Sequence, residues 1–181
     1  MTASCSGRPA SSVSPSTSGT LDPTGILLVA VGEQIQAPAA CDEEHNVAFD
    51  VILRLAMAHG GDFGYPWVDP TTNELVFSVV TAEGRTLAEE AASTIRFPSR
   101  IRDVTHSYAE LQQIQTDVTY LRDEGVVDAE LIYAVVPDQR DNRTMIVISQ
   151  MSRPLLEELA RRFGADAIAV QVDPNQPRVG Y

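Results

Sequence analysis

The sequence contains no lysine, and its 13 cationic side chains are all arginines, set against 25 aspartates and glutamates. The formal charge is therefore −12 at neutral pH. Proteins that bind nucleic acid or an anionic membrane surface do so through clustered cationic side chains. The deficit of positive charge predicts no nucleic-acid partner, and it leaves a covalently attached lipid as the expected route to a membrane.

Cysteine is scarce as well, with two residues in the chain of 181. Two cysteines exclude a disulfide-dense scaffold and any zinc site built from four cysteines. The longest apolar run, residues 26–31, falls far short of the ~20 residues that span a bilayer. A hydrophobic fraction of 44% is nevertheless ordinary for a globular chain. The length suits one ordinary domain or two small ones.

Recognisable catalytic motifs are also missing. The three histidines, His45, His59 and His106, lack the spacing of zinc ligands, and we expect them at the surface. The sequence has no glycine-rich phosphate loop and no serine or cysteine in a nucleophile elbow. We therefore predict no catalytic, cofactor-binding or metal-binding residues, no cofactor, and a protein that is not an enzyme.

The N-terminal segment carries a signal for cellular location. Cys5 follows a short run of small residues, and residues 6–20 are almost all Ser, Thr, Pro, Gly and Ala. Such a composition cannot bury a core, so residues 1–22 are predicted to be a disordered tether. The pattern resembles the end of a bacterial lipoprotein signal, which implies lipidation of Cys5 and a place on the outer face of the cell membrane. An unmodified Cys5 in a secreted protein and a disulfide between Cys5 and Cys41 are the alternatives.

The rest of the sequence indicates two similar halves. Each half has the apolar spacing of a helix, two strands, a second helix and a third strand, predicted at 45–59, 63–69, 74–81, 85–94 and 101–105, and at 107–124, 131–136, 144–149, 154–163 and 167–172. This order predicts an α+β fold of two tandem α-β-β-α-β repeats, with small antiparallel sheets and helices packed on one face. The first repeat is residues 23–105, including an extra N-terminal strand, and the second is residues 106–173.

Two predicted turns support the repeat. Asp69 and Asn73 bracket the first hairpin turn in the same way that Asp138 and Asn142 bracket the second. Aspartate at the start of a turn accepts backbone N–H groups, and asparagine tolerates the left-handed conformation that closes it. We therefore assign structural roles to these four residues, and we expect Trp67 to cap the core.

The first hairpin also carries a resemblance to a known family. In residues 65–76, Trp67, Asp69 and Asn73 are spaced as Trp-x-Asp, three residues, Asn, and an apolar β-run follows. This resembles the pro-regions of bacterial extracellular serine proteases of the alpha-lytic protease and streptogrisin type. Residues 135–146, which lack the tryptophan, and the segments 107–111 and 162–164 are similar to that group too. The likeness covers residues 47–173.

The resemblance implies an α/β lobe that templates the folding of a protease and then inhibits it. The chain has no nucleophile segment like Gly-Asp-Ser-Gly, so such an action would be on a protease in trans. The tail, residues 174–181, is expected either to fray or to add to a partner as an extended strand. The candidate partner-binding residues in it are Pro177, Arg178, Val179, Gly180 and Tyr181.

The sequence thus predicts a non-catalytic, extracellular, membrane-anchored module that binds protein. The expected partner is an extracellular serine protease or another protein. A structural lipoprotein of the cell envelope and an enzyme of unrecognised type are the alternative functions.

Overall fold

The computed structural model describes residues 19–30 and 43–175 of the chain. Over these residues the fold is α+β, as the sequence predicts. The helices are α1 (Glu43–Ala58), α2 (Ala82–Thr94), α3 (Tyr108–Tyr120) and α4 (Arg153–Phe163). The strands are β1 (Gly19–Leu21), β2 (Leu27–Val29), β3 (Trp67–Val68), β4 (Leu75–Val79), β5 (Ser99–Asp103), β6 (Ile132–Asp138), β7 (Arg143–Ile148) and β8 (Ile168–Val172). None of these helices has the length and hydropathy that crossing a bilayer requires.

The strands form two mixed sheets. The first sheet has the order β3-β4-β5, in which β3 is antiparallel and β5 is parallel to β4. The second has the order β1-β2-β8-β7-β6, in which β6 is antiparallel and β8 is parallel to β7. The prediction of antiparallel sheets is therefore wrong for the third strand of each half. That strand follows a helix, and a helical crossover returns the chain parallel to the strand it left.

The N-terminal strands belong to the second sheet. The predicted extra strand of the first repeat is β2, which pairs in parallel with β8 near the other end of the chain. Strand β1 pairs antiparallel with β2. Residues 19–21 were expected in the disordered tether, and this boundary is wrong. The pairing that orders them joins distant parts of the chain, so the composition of the tether could not indicate it.

The two halves have the same strand register. Trp67 pairs with Val76 in the first sheet, and Val136 pairs with Met145 in the second. The parallel pairs correspond too. The offset that takes Asp69 to Asp138 also takes each paired strand residue of the first sheet to a paired residue of the second. In the first sheet this pair is Leu75 with Ser99, and in the second it is Thr144 with Ile168.

In each half the helices cover one face of the sheet. The core of the first half joins α1 and α2 to β4 through the buried residues Ile52, Ala56, Phe77, Val79 and Ala88. The core of the second half joins α3 and α4 to β7 through Leu111, Ile114, Ile146, Ile148 and Leu159. Burial of such apolar side chains is the main force that stabilises both layers.

Local signals set the ends of the helices. At the start of α3 the Ser107 side chain accepts the Glu110 N–H at 3.1 Å, and the Glu110 carboxylate accepts the Ser107 N–H at 3.4 Å. This is the capping box that the sequence predicts. Helix α4 has Pro154 in its first turn and ends at Gly164, whose φ is 81°.

Candidate protein-binding site

The two hairpin turns have closely similar geometry. Asn73 and Asn142 have φ values of 57° and 52°, both in the left-handed region. The Asp69 carboxylate accepts the Thr71 N–H at 2.9 Å, and the Asp138 carboxylate accepts the Asp141 N–H at 3.1 Å. Each aspartate therefore stabilises the backbone of its own turn.

Trp67 lies beneath two arginines of β5. The residue is 7% exposed, and the guanidinium carbons of Arg100 and Arg102 lie 5.7 and 5.9 Å from the ring centroid. Arg100 also donates to the Asp69 carboxylate at 2.8 Å. Trp67 thus packs against cations. Local sequence does not indicate this arrangement, because alternating arginines on a short strand are also typical of a solvated edge.

The outer faces of the two sheets differ in chemistry, although their registers match. Residues paired across a ladder share a face, so the first sheet presents Trp67, Val76, Ser78, Arg100 and Arg102 away from its helices. The corresponding residues of the second sheet are Val136, Met145, Val147, Ala169 and Gln171. One outer face is therefore rich in cationic and aromatic groups and the other is mainly aliphatic.

The second hairpin turn also contacts the first half, and it binds the backbone at the start of the second half. The Asn142 side chain accepts the His106 N–H at 2.8 Å and donates to the His106 carbonyl at 2.9 Å. Arg102 of the first sheet donates to the carbonyl of Arg140 in the same turn at 2.6 Å. Gly64 is needed at this contact, because a Cβ there would lie 2.7 Å from the Asn142 amide nitrogen.

His106 is buried, and the expectation that it lies at the surface is wrong. It is 8% exposed, with Nδ1 3.0 Å from a Glu110 carboxylate oxygen and Nε2 3.4 Å from one of Asp166. Asn142 binds its backbone, and Gly64 of the first half lies beside its carbonyl oxygen. Local sequence does not encode contacts between such distant residues. His59 is half-buried and the His45 side chain lies outside the described residues. Within the described parts, no three His, Cys, Asp or Glu residues are placed to hold a metal ion.

The pKa values of the two turn aspartates are shifted in opposite directions. Burial raises the pKa of Asp138, whose side chain is fully buried, and the hydrogen bond from Asp141 only partly offsets this. Burial also acts on Asp69, but the hydrogen bonds from Thr71, Arg100 and Thr72 outweigh it and lower the pKa of that carboxyl. The environment of each turn therefore sets the sign of the shift.

This contrast predicts opposite effects of two matched substitutions on the pH dependence of stability. As pH rises through and above 3.8, the ordinary pKa of Asp138, the unfolded chain loses this proton before the folded chain does. The wild type should therefore lose stability relative to Asp138→Asn up to the raised pKa, by about 1.4 kcal/mol for each unit of the shift. Relative to Asp69→Asn, the wild type should instead lose stability as pH falls below 3.8. Urea unfolding from pH 3 to 7 measures both differences, and equal slopes would contradict the assignment.

Strand β6 is the longest of the four edge strands in the described residues, and its solvent-accessible side chains are uncharged. Strands β1 and β3 have three and two residues, and β5 carries Arg100, Arg102 and Asp103. Strand β6 has seven residues, Ile-Tyr-Ala-Val-Val-Pro-Asp, and its one charged side chain, Asp138, is buried. Native proteins normally protect an edge with charges, prolines or bulges. Here Pro137 and a register shift between Ile132 and Ala134 protect the ends, so the middle of the strand stays open to pairing.

A groove of about 680 Å³ runs beside this edge, between the C-terminal end of α3 and β6. The residues that line it include Val118, Asp123, Asp128, Glu130, Ile132 and Val135. Val136 and Val127 lie nearby in sequence and are 43% and 63% exposed. An open strand edge beside a partly apolar groove is the geometry by which extended peptides add to sheets.

Two predicted features lie outside the described residues. They are the lipidation site at Cys5, with its possible partner Cys41, and the tail residues 177–181. Comparisons with known proteins add no assignment, since no protein-family model and no curated protein matches the chain.

Proposed function

We propose that this chain is a non-catalytic protein-binding module that acts outside the bacterial cell, held at the membrane by a lipid on Cys5. Its partner adds an extended strand to the open edge of β6. The observation that carries the proposal is the seven-residue β6 edge, whose middle lacks the charges that protect β5. The side-chain pockets beside an added strand provide specificity, while the backbone hydrogen bonds provide affinity.

The resemblance to protease pro-regions supports a sharper form of this function. Such pro-regions act by contact with a protease, and this chain would do so in trans as an inhibitor or folding helper. We expect the purified protein to inhibit a secreted serine protease of the alpha-lytic or streptogrisin type, with an inhibition constant from about nanomolar to micromolar. Hydrolysis of a chromogenic peptide measures this, and unchanged hydrolysis at about 100 µM protein would reject the protease as partner.

A matched pair of variants tests the site. Val136 on β6 and Val51 on α1 are each 43% exposed, so Val136→Lys and Val51→Lys change charge and exposed apolar area alike. A lysine on the open edge should weaken inhibition at least tenfold, because a charge there opposes strand addition. Val51→Lys should change it less than twofold. Equal effects of the two variants would place the binding surface elsewhere.

The anchor needs its own test. Mass spectrometry of the protein isolated from its native membrane should find a diacylglycerol on Cys5, and Cys5→Ser should release the protein into the medium. An unmodified Cys5 in membrane-bound protein would reject this part of the proposal and leave the β6 site untouched.

A further inference from the structure

We infer that the strand that pairs with β6 is cationic, with arginine or lysine side chains directed into the groove between α3 and β6. This inference rests on the proposed function, since it specifies the chemistry of the partner at that site. It follows from three features of the groove, each of which favours positive charge.

The first feature is the rim of the groove. Asp123 and Glu130 are exposed there, and Asp128 is half-buried and accepts a hydrogen bond from Ser152. Among the described residues that line the groove, the cationic one is Arg122. Its guanidinium already donates to the backbone carbonyl of Glu130 at 3.3 Å. The rim therefore has an excess of negative charge over positive charge.

The second feature is the end of α3. The last carbonyl groups of a helix carry partial negative charge, which favours a nearby cation. Cationic side chains of a helix's own last turn often meet this preference, but the last turn of α3 has none. Val118 and Thr119 of that turn line the groove, so a partner's cation can approach this end of the helix.

The third feature is the charge of the whole chain, −12, which attracts cationic partners over distances up to a Debye length. The same charge disfavours a second copy of this chain as the occupant. Pairing of β6 with β6 would bring two acidic rims together, and like charges in juxtaposition oppose association.

Two labelled heptapeptides test the inference by fluorescence anisotropy. One alternates arginine with valine and threonine, and the other has glutamate in place of arginine. We expect the arginine peptide to bind at least tenfold more tightly at 50 mM salt, with affinity that falls as salt is raised. Equal binding of the two peptides would overturn the inference.

Matched charge reversals locate the effect. A double variant with Asp123→Arg and Glu130→Arg should bind the arginine peptide at least tenfold more weakly, because both side chains lie on the rim. The control is a double variant with Glu89→Arg and Glu90→Arg, which makes the same change in net charge on the exposed face of α2. It should bind the arginine peptide less than threefold more weakly than the wild type. Equal losses of affinity in the two double variants would show that long-range attraction alone accounts for binding, and this would overturn the assignment of the cation site to the groove. A dimer formed by pairing of β6 with β6, detected by sedimentation, would also overturn the inference.

These outcomes separate the inference from the proposed function. If Val136→Lys abolishes protease inhibition while the rim reversals leave inhibition unchanged, the edge binds protein but the cationic occupant is wrong. If neither peptide binds and no protease is inhibited, the proposed function itself fails.

Discussion

Replacing Asn142 with alanine should lower the free energy of unfolding by about 3–7 kcal/mol. The substitution leaves the His106 N–H and carbonyl, both now bound by the Asn142 side chain, without partners in a buried site. Each unsatisfied buried group costs about 1–3 kcal/mol. Alanine must also adopt the left-handed φ of 52°, which costs about 1 kcal/mol more. Chemical denaturation measures the loss.

The first turn provides the control for this result. Asn73 has a φ of 57° but is exposed, so Asn73→Ala should cost about 1 kcal/mol. Asn142→Gly separates the two contributions, because glycine accepts the left-handed conformation and loses the hydrogen bonds alone. It also provides a folded variant should alanine prevent folding. Similar losses for Asn73→Ala and Asn142→Ala would show that the hydrogen bonds between Asn142 and His106 contribute little.

Replacing Gly84 with alanine should cost about 2–3 kcal/mol, although alanine is the better helix former by about 1 kcal/mol. Gly84 lies in the first turn of α2, and a Cβ there would be 2.4 Å from the carbonyl oxygen of Asp62. That oxygen accepts the Val80 N–H at 2.8 Å. The added methyl group must therefore displace backbone that is already hydrogen-bonded, and a flexible side chain cannot relieve the contact.

Gly61 is the matched control for this substitution. It lies next to Asp62 in the same loop, but a Cβ there would have no atom within 4 Å. Gly61→Ala should change stability by less than about 0.5 kcal/mol. Thermal unfolding of both variants measures the difference. A loss at Gly84 no larger than the loss at Gly61 would mean that α2 can move away from the loop at little cost.

The features that the sequence predicted well depend on neighbouring residues. Ser107 and Glu110 are three residues apart and form their capping box with each other. Asn73 and Asn142 adopt left-handed conformations within turns that their own hairpins define. Apolar periodicity located the four helices to within a few residues for the same reason, since each buried stripe lies on a single element.

The features that the sequence did not predict depend on distant pairs. The parallel partner of β2 is β8, and local pattern does not select that partner. His106 is buried because Asn142, far along the chain, binds its backbone. The open edge at β6 was missed because an edge is defined by the order of strands in the sheet, and that order became apparent only from the pairings.

The pairing of β2 with β8 has a consequence for synthesis on the ribosome. Residues 27–29 leave the ribosome long before their strand partner, residues 168–172. The second sheet therefore cannot be completed until residues 168–172 are translated, whereas the strands of the first sheet lie within residues 67–103. Contacts between such distant residues close slowly. Strand β2 must remain unpaired with β8 until then, and we expect a chaperone that holds extended apolar segments to bind it.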